Sequence, residues 1–575
     1  MASDTLNLSI GQYSSAGDKP VNQDAYGAVI PEESILKIKG AAVAIADGIG
    51  SSTVSDIASR SAIKRFLEDY FCTSDASSVK QAAGQVVSAI NAVLCAQTRN
   101  SPFMGEPEKG FVCTFSSVIF KRDRAYLFHA GDSRIYRLRE GKLEQLTRDH
   151  RSRSSGQQDV LSNALGIHED FQLDVQEVKT ATNDCFILAT DGVYDFLPEP
   201  ALCDCVMEHI DRLDFAAQSI VEQAFANGSD DNLTVQLIRV NAVPADNPTL
   251  SSEAENLPVP PVLSPNEKLD NYLIQRHLYA SARSHIYLAT DIKTQQQLII
   301  KAPSVALADN PGHLEKFMIE EWAARRVRSQ HLLSVPETRY SRSYLYTVSN
   351  FIEGQTLKQW ATDNPVATVE NVRILIEQVA RGLMALHRAD VLHQDIRPEN
   401  IMIDNAGTVK IIDFGAASIV GIQKVSGGEE SEIPGTAIYA APEYFLGESG
   451  TPQSDQFSLA VLTYFLLCGT YPYGSDVAKC RSVAAQHKLK YRSVLHPNRE
   501  IPFWVDCTLK KALQPNPHKR YRELSEFIYD LRHPNPKFMN RHRPPLAQRH
   551  PIRFWQSVSA GLLMTVLVLL IDKFT

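Results

Sequence analysis

Between Asn241 and Lys268 the chain carries six prolines, at 244, 248, 258, 260, 261 and 265, with serine, glutamate and asparagine among them. Proline fixes φ and removes a backbone donor, and a stretch so poor in apolar residues cannot bury enough surface to order itself. A chain of 575 residues is in any case too long for one core, so it is expected to fold as separate domains on either side of this linker. Composition is that of globular domains, 44% hydrophobic and 22% charged, and a formal net charge of −8 gives no reason to expect nucleic acid as a partner. Nine cysteines, the closest being Cys203 and Cys205, show no metal-ligand spacing and read as reduced thiols of a cytosolic compartment. Met1 to Thr5 has neither the basic region nor the apolar run of a secretory signal.

The other end reads differently. Phe554 to Ile571 is a run of eighteen residues without a charge, about 27 Å as a helix. Lys537, Arg541, Arg543, Arg549 and Arg553 precede it. The expectation is one transmembrane helix at 554–571 behind a basic juxtamembrane segment at 533–553, and a single-pass protein of the inner membrane with everything N-terminal in the cytoplasm.

The N-terminal part alternates strand-like and helical runs. Ala41–Ala46, Arg124–Ala130, Ile135–Arg139, Cys185–Ala189 and Asn232–Val240 read as strands, and 54–71 and 79–97 as helices. Acidic segments punctuate the strand ends: Asn22-Gln23-Asp24, Asp47-Gly48-Ile49-Gly50, Gly131-Asp132-Ser133-Arg134, Asp191-Gly192-Val193-Tyr194-Asp195 and Asp230-Asp231-Asn232. Carboxylates from separate strands can converge on a metal, and oxygen ligands without His or Cys suit Mg²⁺ or Mn²⁺.

Five such segments in this order, over residues 6 to 240, resemble the metal-dependent type 2C Ser/Thr protein phosphatases. The resemblance implies an α-β-β-α sandwich of the α+β class and two or three Mn²⁺ or Mg²⁺ ions. It assigns Asp47, Asp191 and Asp231 to a two-metal centre, with the Gly48 carbonyl as a further ligand. Asp24 would hold a water on the metal, and Asp132 with Asp191 matches a third-metal position of bacterial members. Lys19 stands where the family often has a phosphate-binding Arg, and offers a point charge in place of a bidentate fork. Ile49 occupies the position where some members carry a His proposed as general acid, which leaves the acid unassigned.

In the C-terminal half, His393-Gln394-Asp395-Ile396-Arg397-Pro398-Glu399-Asn400 is followed by Asp413-Phe414-Gly415. A carboxylate that can orient a hydroxyl, an amide and a second carboxylate stand in the order that phosphoryl transfer from ATP needs. The pattern resembles the catalytic and metal loops of eukaryotic-like Ser/Thr protein kinases, a bilobal α+β fold, over residues 270 to 532. The resemblance implies Asp395 as base, Arg397 at the γ-phosphate, and Asn400 and Asp413 as ligands of the Mg²⁺ or Mn²⁺ that accompanies ATP. It makes Lys301, in Leu298-Ile299-Ile300-Lys301, the phosphate-binding lysine and Glu320 its partner, with Glu321 the rival by one residue. Ser349 to Ile352 reads as the adenine hinge, through Asn350 and Ile352. Ala441-Pro442-Glu443, Asp455 and Arg520 match structural positions of the large lobe, and Gly435-Thr436 the end of an activation segment. The phosphate-covering loop departs from the family: Tyr279, Ser281 and Ser284 stand where glycines are expected, so side chains crowd the approach to the nucleotide. Gln394 replaces the Arg that receives an activation-loop phosphate in many kinases.

The sequence therefore predicts a phosphatase domain at 1–242, a linker at 243–267 and a kinase domain at 268–532. Its expected partners are proteins bearing Ser/Thr or phospho-Ser/Thr, and a membrane at the C-terminus.

Overall fold

The computed structural model describes residues 5–153, 159–244, 257–419, 437–495, 500–541 and 551–574. The chain divides into two compact units, one of residues 1–354, 385–393 and 411–430, the other of 355–384, 394–410 and 431–575.

The first unit begins with a sandwich. Its strands are β1 (Asn7–Ser15), β2 (Ala25–Val29), β3 (Ala41–Ala46), β4 (Phe115–Lys121), β5 (Arg124–Ala130), β6 (Arg134–Arg139), β7 (Lys142–Gln145), the ribbon β8 (Arg151–Arg153) with β9 (Asp159–Leu161), β10 (Asp174–Lys179), β11 (Cys185–Ala189) and β12 (Leu233–Ala242). Two antiparallel sheets form, in the orders β1-β12-β11-β6-β7 and β10-β5-β4-β3-β2. Strand parity builds the layers. In β11, Phe186 and Leu188 face the second sheet, where they join Val43, Ile45, Val118, Phe120 and Leu127, and the Phe120 and Phe186 rings meet edge to face at 5.0 Å. The alternate residues Cys185, Ile187 and Ala189 face outward onto helices α5 (Glu199–Glu208) and α6 (Leu213–Ala226). The other sheet is covered by α2 (Ser55–Tyr70) and α3 (Val79–Arg99), which follow the short α1 (Glu33–Lys39); Ser78 and Gln81 close a capping box at the start of α3. A one-turn helix, α4 (Asp191–Tyr194), follows β11.

The same unit holds a five-stranded antiparallel sheet of β13 (Lys268–Leu269), β14 (Tyr272–Ala280), β15 (Ser284–Asp291), β16 (Gln297–Pro303) and β17 (Thr347–Asn350), with helix α7 (Pro311–Arg326) between β16 and β17 in sequence. Leu298, Ile300 and Ala302 join Tyr272, Ile274, Tyr287 and Val348 in its core, so alternation turns Lys301 to the opposite face. Of the Pro-rich segment, residues 245–256 lie outside the described residues, whereas Leu263 is buried in this core and the Leu345 amide donates to the Pro258 carbonyl at 2.9 Å.

The second unit is built on the helix Pro452–Cys468, buried over most of its length and packed on the helices Phe503–Ala512 and Leu524–Arg532. Beside it Arg520 forks onto Glu443 with both contacts at 2.7 Å, and the two side chains are 0% and 2% exposed. Removing one partner of such a pair strands a buried charge. Arg520→Ala is expected to lower the stability of this unit by about 3–5 kcal/mol; urea unfolding monitored from this unit checks it.

The C-terminal expectation is corrected. Residues 551–574 are helical, yet among the described residues no helix is long and apolar enough to cross a membrane. The part whose side chains are described ends at Val566 and carries Arg553, Gln556, Ser557, Ser559 and Thr565. The transmembrane helix at 554–571, and the single-pass inner-membrane location drawn from it, are not supported.

Candidate active sites

Strand register gathers the acidic segments of the sandwich at one end. Ala25 pairs with Ala46, which sets Asp24 beside Asp47. Ala189 pairs with Arg134 on one side and Val235 on the other, which brings the turns holding Asp191, Asp132 and Asp231 together. The backbone is shaped to permit this. Gly131, just before Asp132, has φ +125°, and a Cβ on Gly192 would lie 2.1 Å from the Asn232 carbonyl. Gly48 is buried, its amide donating to the Gln23 carbonyl at 3.1 Å.

Asp24 is the most enclosed carboxylate. Its Oδ2 accepts from Thr234 at 2.6 Å and Thr190 at 3.0 Å, while Oδ1 is buried without a hydrogen-bond partner. Burial pushes its carboxyl up to about 6. Burial and the repulsion of Asp24, Asp191 and Asp132 raise Asp47 well above the usual range, and burial with Asp132 and Asp231 pushes Asp191 up to about 7. Among the described residues no group of three His, Cys, Asp or Glu side chains is gathered tightly enough to hold a metal ion. Cations of the chain lie among the carboxylates instead. Arg151 donates to Asp132 at 2.8 Å and to Asp191 at 3.1 Å, and stands 3.7 Å from Asp195; Lys19 is 3.5 Å from Asp231. An orphaned, buried carboxylate oxygen amid carboxyls that repel one another is a donor set suited to a hard divalent cation.

Arg151, Thr190 and Thr234 were not legible as site residues. Thr234 points inward from a strand whose pattern signals only core, and Arg151 reaches the acids by the β8–β9 ribbon, which no periodicity announces. Ile49 is partly buried, and Asn232 fastens the Lys19 loop by donating to the Ala16 and Val21 carbonyls at 3.0 and 3.2 Å.

In the same unit, Lys301 Nζ donates to both oxygens of Glu320, at 2.6 and 2.8 Å, and to Asp413 Oδ1 at 3.0 Å. Burial pushes the Glu320 carboxyl up to about 7 against the pull of Lys301. The rival Glu321 turns away and is taken up by Arg325 and Arg342. The loop between β14 and β15 is closed on itself. Ser281 Oγ accepts from the amides of Arg283 at 3.2 Å and Ser284 at 3.0 Å, and the Ser281 amide donates to the Ser284 carbonyl at 2.9 Å. Two amides that a glycine-rich loop would leave for phosphate are thus occupied by a hydroxyl. Asn350 ends β17, and its amide donates to the Ser334 carbonyl at 2.9 Å; Ile352 follows, partly buried.

In the second unit, Asn400 Nδ2 donates to Asp395 Oδ2 at 2.8 Å and to the Asp395 carbonyl at 2.9 Å. Arg397 Nε lies 3.8 Å from Asp395 Oδ2 and 3.4 Å from Asn400 Oδ1. The fully buried Asp455 accepts from the Gln394 amide at 2.8 Å, and Gln394 is held at φ +64°. Gly435 and Thr436 lie outside the described residues.

Residues 275–533 match the family model described as protein kinase domain, and residues 12–229 that described as protein phosphatase 2C. The Serine/threonine-protein kinase PrkC of Bacillus subtilis is 26% identical over 262 residues, 45% of this chain and 40% of that protein. The chain thus spans about two-fifths of that relative's length. Among solved structures, the Mycobacterium tuberculosis serine/threonine phosphatase PstP/Ppp is 24% identical, with 40% of this chain and 98% of that chain covered at a TM-score of 0.35. The catalytic domain of PstP in complex with two manganese ions is 25% identical, covering 41% and 99%, with a TM-score of 0.34.

Proposed function

We infer, for a chain that joins a protein phosphatase 2C domain at residues 12–229 to a protein kinase domain at residues 275–533, that it both transfers phosphate from ATP to Ser/Thr of proteins and hydrolyses phospho-Ser/Thr. The observation that carries the kinase reading is the contact of Lys301 with Glu320 and Asp413. Lys301, held by Glu320, would contact the phosphates of ATP. Asp395, steadied by Asn400 and flanked by Arg397, would orient the hydroxyl and accept its proton. Asn400 and Asp413 would hold the Mg²⁺ or Mn²⁺ that accompanies the nucleotide, and Asn350 and Ile352 would meet the adenine.

For the phosphatase, Asp47, the Gly48 carbonyl, Asp191 and Asp231 would hold two Mn²⁺ or Mg²⁺ ions, with Asp24 behind them and Asp132 with Asp191 serving a third. Bound, such ions supply Lewis acidity that lowers the pKa of water and neutralises phosphoryl oxygens. Arg151 must then leave Asp132 and Asp191, and its guanidinium becomes available to a phosphate alongside Lys19.

The Ser281-capped loop favours a second reading, an active phosphatase beside a nucleotide-sensing kinase domain without phosphotransfer. Incubating the full chain with γ-labelled ATP, Mn²⁺ and a generic protein substrate separates the two. The first reading expects label in protein that depends on Asp395; retention of bound nucleotide with no transfer would select the second.

A further inference from the structure

Neighbouring residues of a helix leave its axis about 100° apart, so the adjacent glutamates of α7 serve different partners. Glu320 holds Lys301. Glu321, 1% exposed at its side chain, faces the loop between α2 and α3 of the sandwich, where Ser74 Oγ donates to it at 2.7 Å. The next residue of that loop, Asp75, is 2% exposed and accepts from Arg325 at 2.8 Å and from Arg339 at 3.4 Å. Arg325 also reaches Glu321 at 2.6 Å, and Arg342 forks onto Glu321 at 2.6 and 2.9 Å while standing 3.8 Å from Asp75. One turn of contact further, Arg326 pairs with Asp69 at 3.1 Å. Ala76 of the loop closes an apolar cluster with Phe317, Met318 and Leu345. The face of α7 about 100° round the axis from the Lys301 contact is therefore gripped by the phosphatase domain.

Two anions, Asp75 and Glu321, stand here against the guanidinium groups of Arg325, Arg339 and Arg342, with the buried Lys39 beside them donating to the Ser74 carbonyl at 2.6 Å. Without the Asp75 charge, one anion would face three buried guanidinium groups, which repel and separate. α7 can relieve that only by turning or withdrawing, and Glu320 lies one residue from the pivot.

We propose that Asp75, although it belongs to the phosphatase domain, is a positioning residue of the kinase reaction: through Arg325 and Glu321 it fixes the rotation of α7 that keeps Glu320 on Lys301. The phosphatase domain is then an activating element of the kinase in the same chain. The proposal rests on the kinase reading above.

The test uses the full chain with Asp75→Asn, which keeps shape and removes charge, and Asp75→Glu, which keeps charge. Asp75→Asn is expected to lower kcat/KM for ATP and affinity for a fluorescent ATP analogue with Mg²⁺ about tenfold. Hydrogen exchange of the amides of 317–324 should rise by a similar factor, with p-nitrophenyl phosphate hydrolysis by the phosphatase within about twofold of wild type. Asp75→Glu should recover most of the loss. Unchanged exchange and ATP kinetics would overturn the proposal. So would parallel loss of phosphatase turnover, which would make the cluster a folding element. If the wild-type chain transfers no phosphate, the kinase reading fails alone, and exchange at α7 with analogue affinity still decides the coupling.

Discussion

Asp191→Ala is expected to lower hydrolysis of a phosphothreonine peptide in Mn²⁺ by about 10³-fold, the several kcal/mol of charge stabilisation that a metal ligand secures, at 1.36 kcal/mol per decade. Chelator should do the same to the wild type. The variant should not pay for this in stability. Asp191 sits among Asp132 and Asp231, and burial with their repulsion already pushes its carboxyl up to about 7. Deleting it relieves that repulsion, so in chelator at pH 7.5 the variant should melt no lower than the wild type. Turnover that survives chelation, or a variant that melts well below the wild type without metal, would contradict the assignment. Loss of activity together with unchanged or greater stability is the mark of a functional carboxylate as opposed to a structural one.

Lys301→Met is expected to lower phosphotransfer from ATP by about 10²–10³-fold, the effect of removing one preorganised charge from a developing phosphoryl transition state. The consequence inside the fold is specific. Glu320 and Asp413 lose the cation they share. Glu320, pushed up to about 7 even with Lys301 present, then keeps its proton through neutral pH. Asp395→Asn should cause a comparable loss by a different route, removing the acceptor of the substrate proton while Asn400 retains the backbone carbonyl of residue 395 as a partner. Initial rates with γ-labelled ATP, and nucleotide affinity for each variant, distinguish the two. Lys301→Met should weaken nucleotide binding and Asp395→Asn should leave it within a few-fold. Near wild-type transfer in both would remove the kinase assignment.

Much of the sandwich was legible because its strands are short and apolar with abrupt ends. Ala41–Ala46, Arg124–Ala130 and Cys185–Ala189 read from the sequence with the bounds the structure gives them. The acids stood out because each follows or precedes such a run. Glu320 could not be separated from Glu321 by sequence, since a helix register is ambiguous by one residue until something is seen on each face; Arg325 and Arg342 decide it. The Ser281 cap was invisible because composition shows the missing glycines but not what replaces their role. Asp75 and Arg342 lie 267 residues apart, and no local pattern encodes a charge cluster assembled over that distance. The C-terminal run misled because it was judged on length, lack of charge and the apolar stretch from Ala560 to Ile571, while Gln556, Ser557, Ser559 and Thr565 lower its apolarity in the described part. Of the hydroxyls between Asp413 and Glu443, Ser418 is buried where it pairs with Leu392, and Ser426, Ser431 and Thr436 lie outside the described residues.

The face of α7 that meets the sandwich also bears on where this protein can be divided. A protease or a cloning junction placed in the Pro-rich stretch would cut where the covalent chain looks weakest. The released C-terminal fragment would then present Phe317, Met318 and Leu345 to water, ringed by the guanidinium groups of Arg325, Arg339 and Arg342. An apolar patch inside a cationic ring adheres to acidic surfaces and to its own copies. A split at the prolines would therefore part α7 from Asp69, Ser74 and Asp75, which lie upstream of the cut.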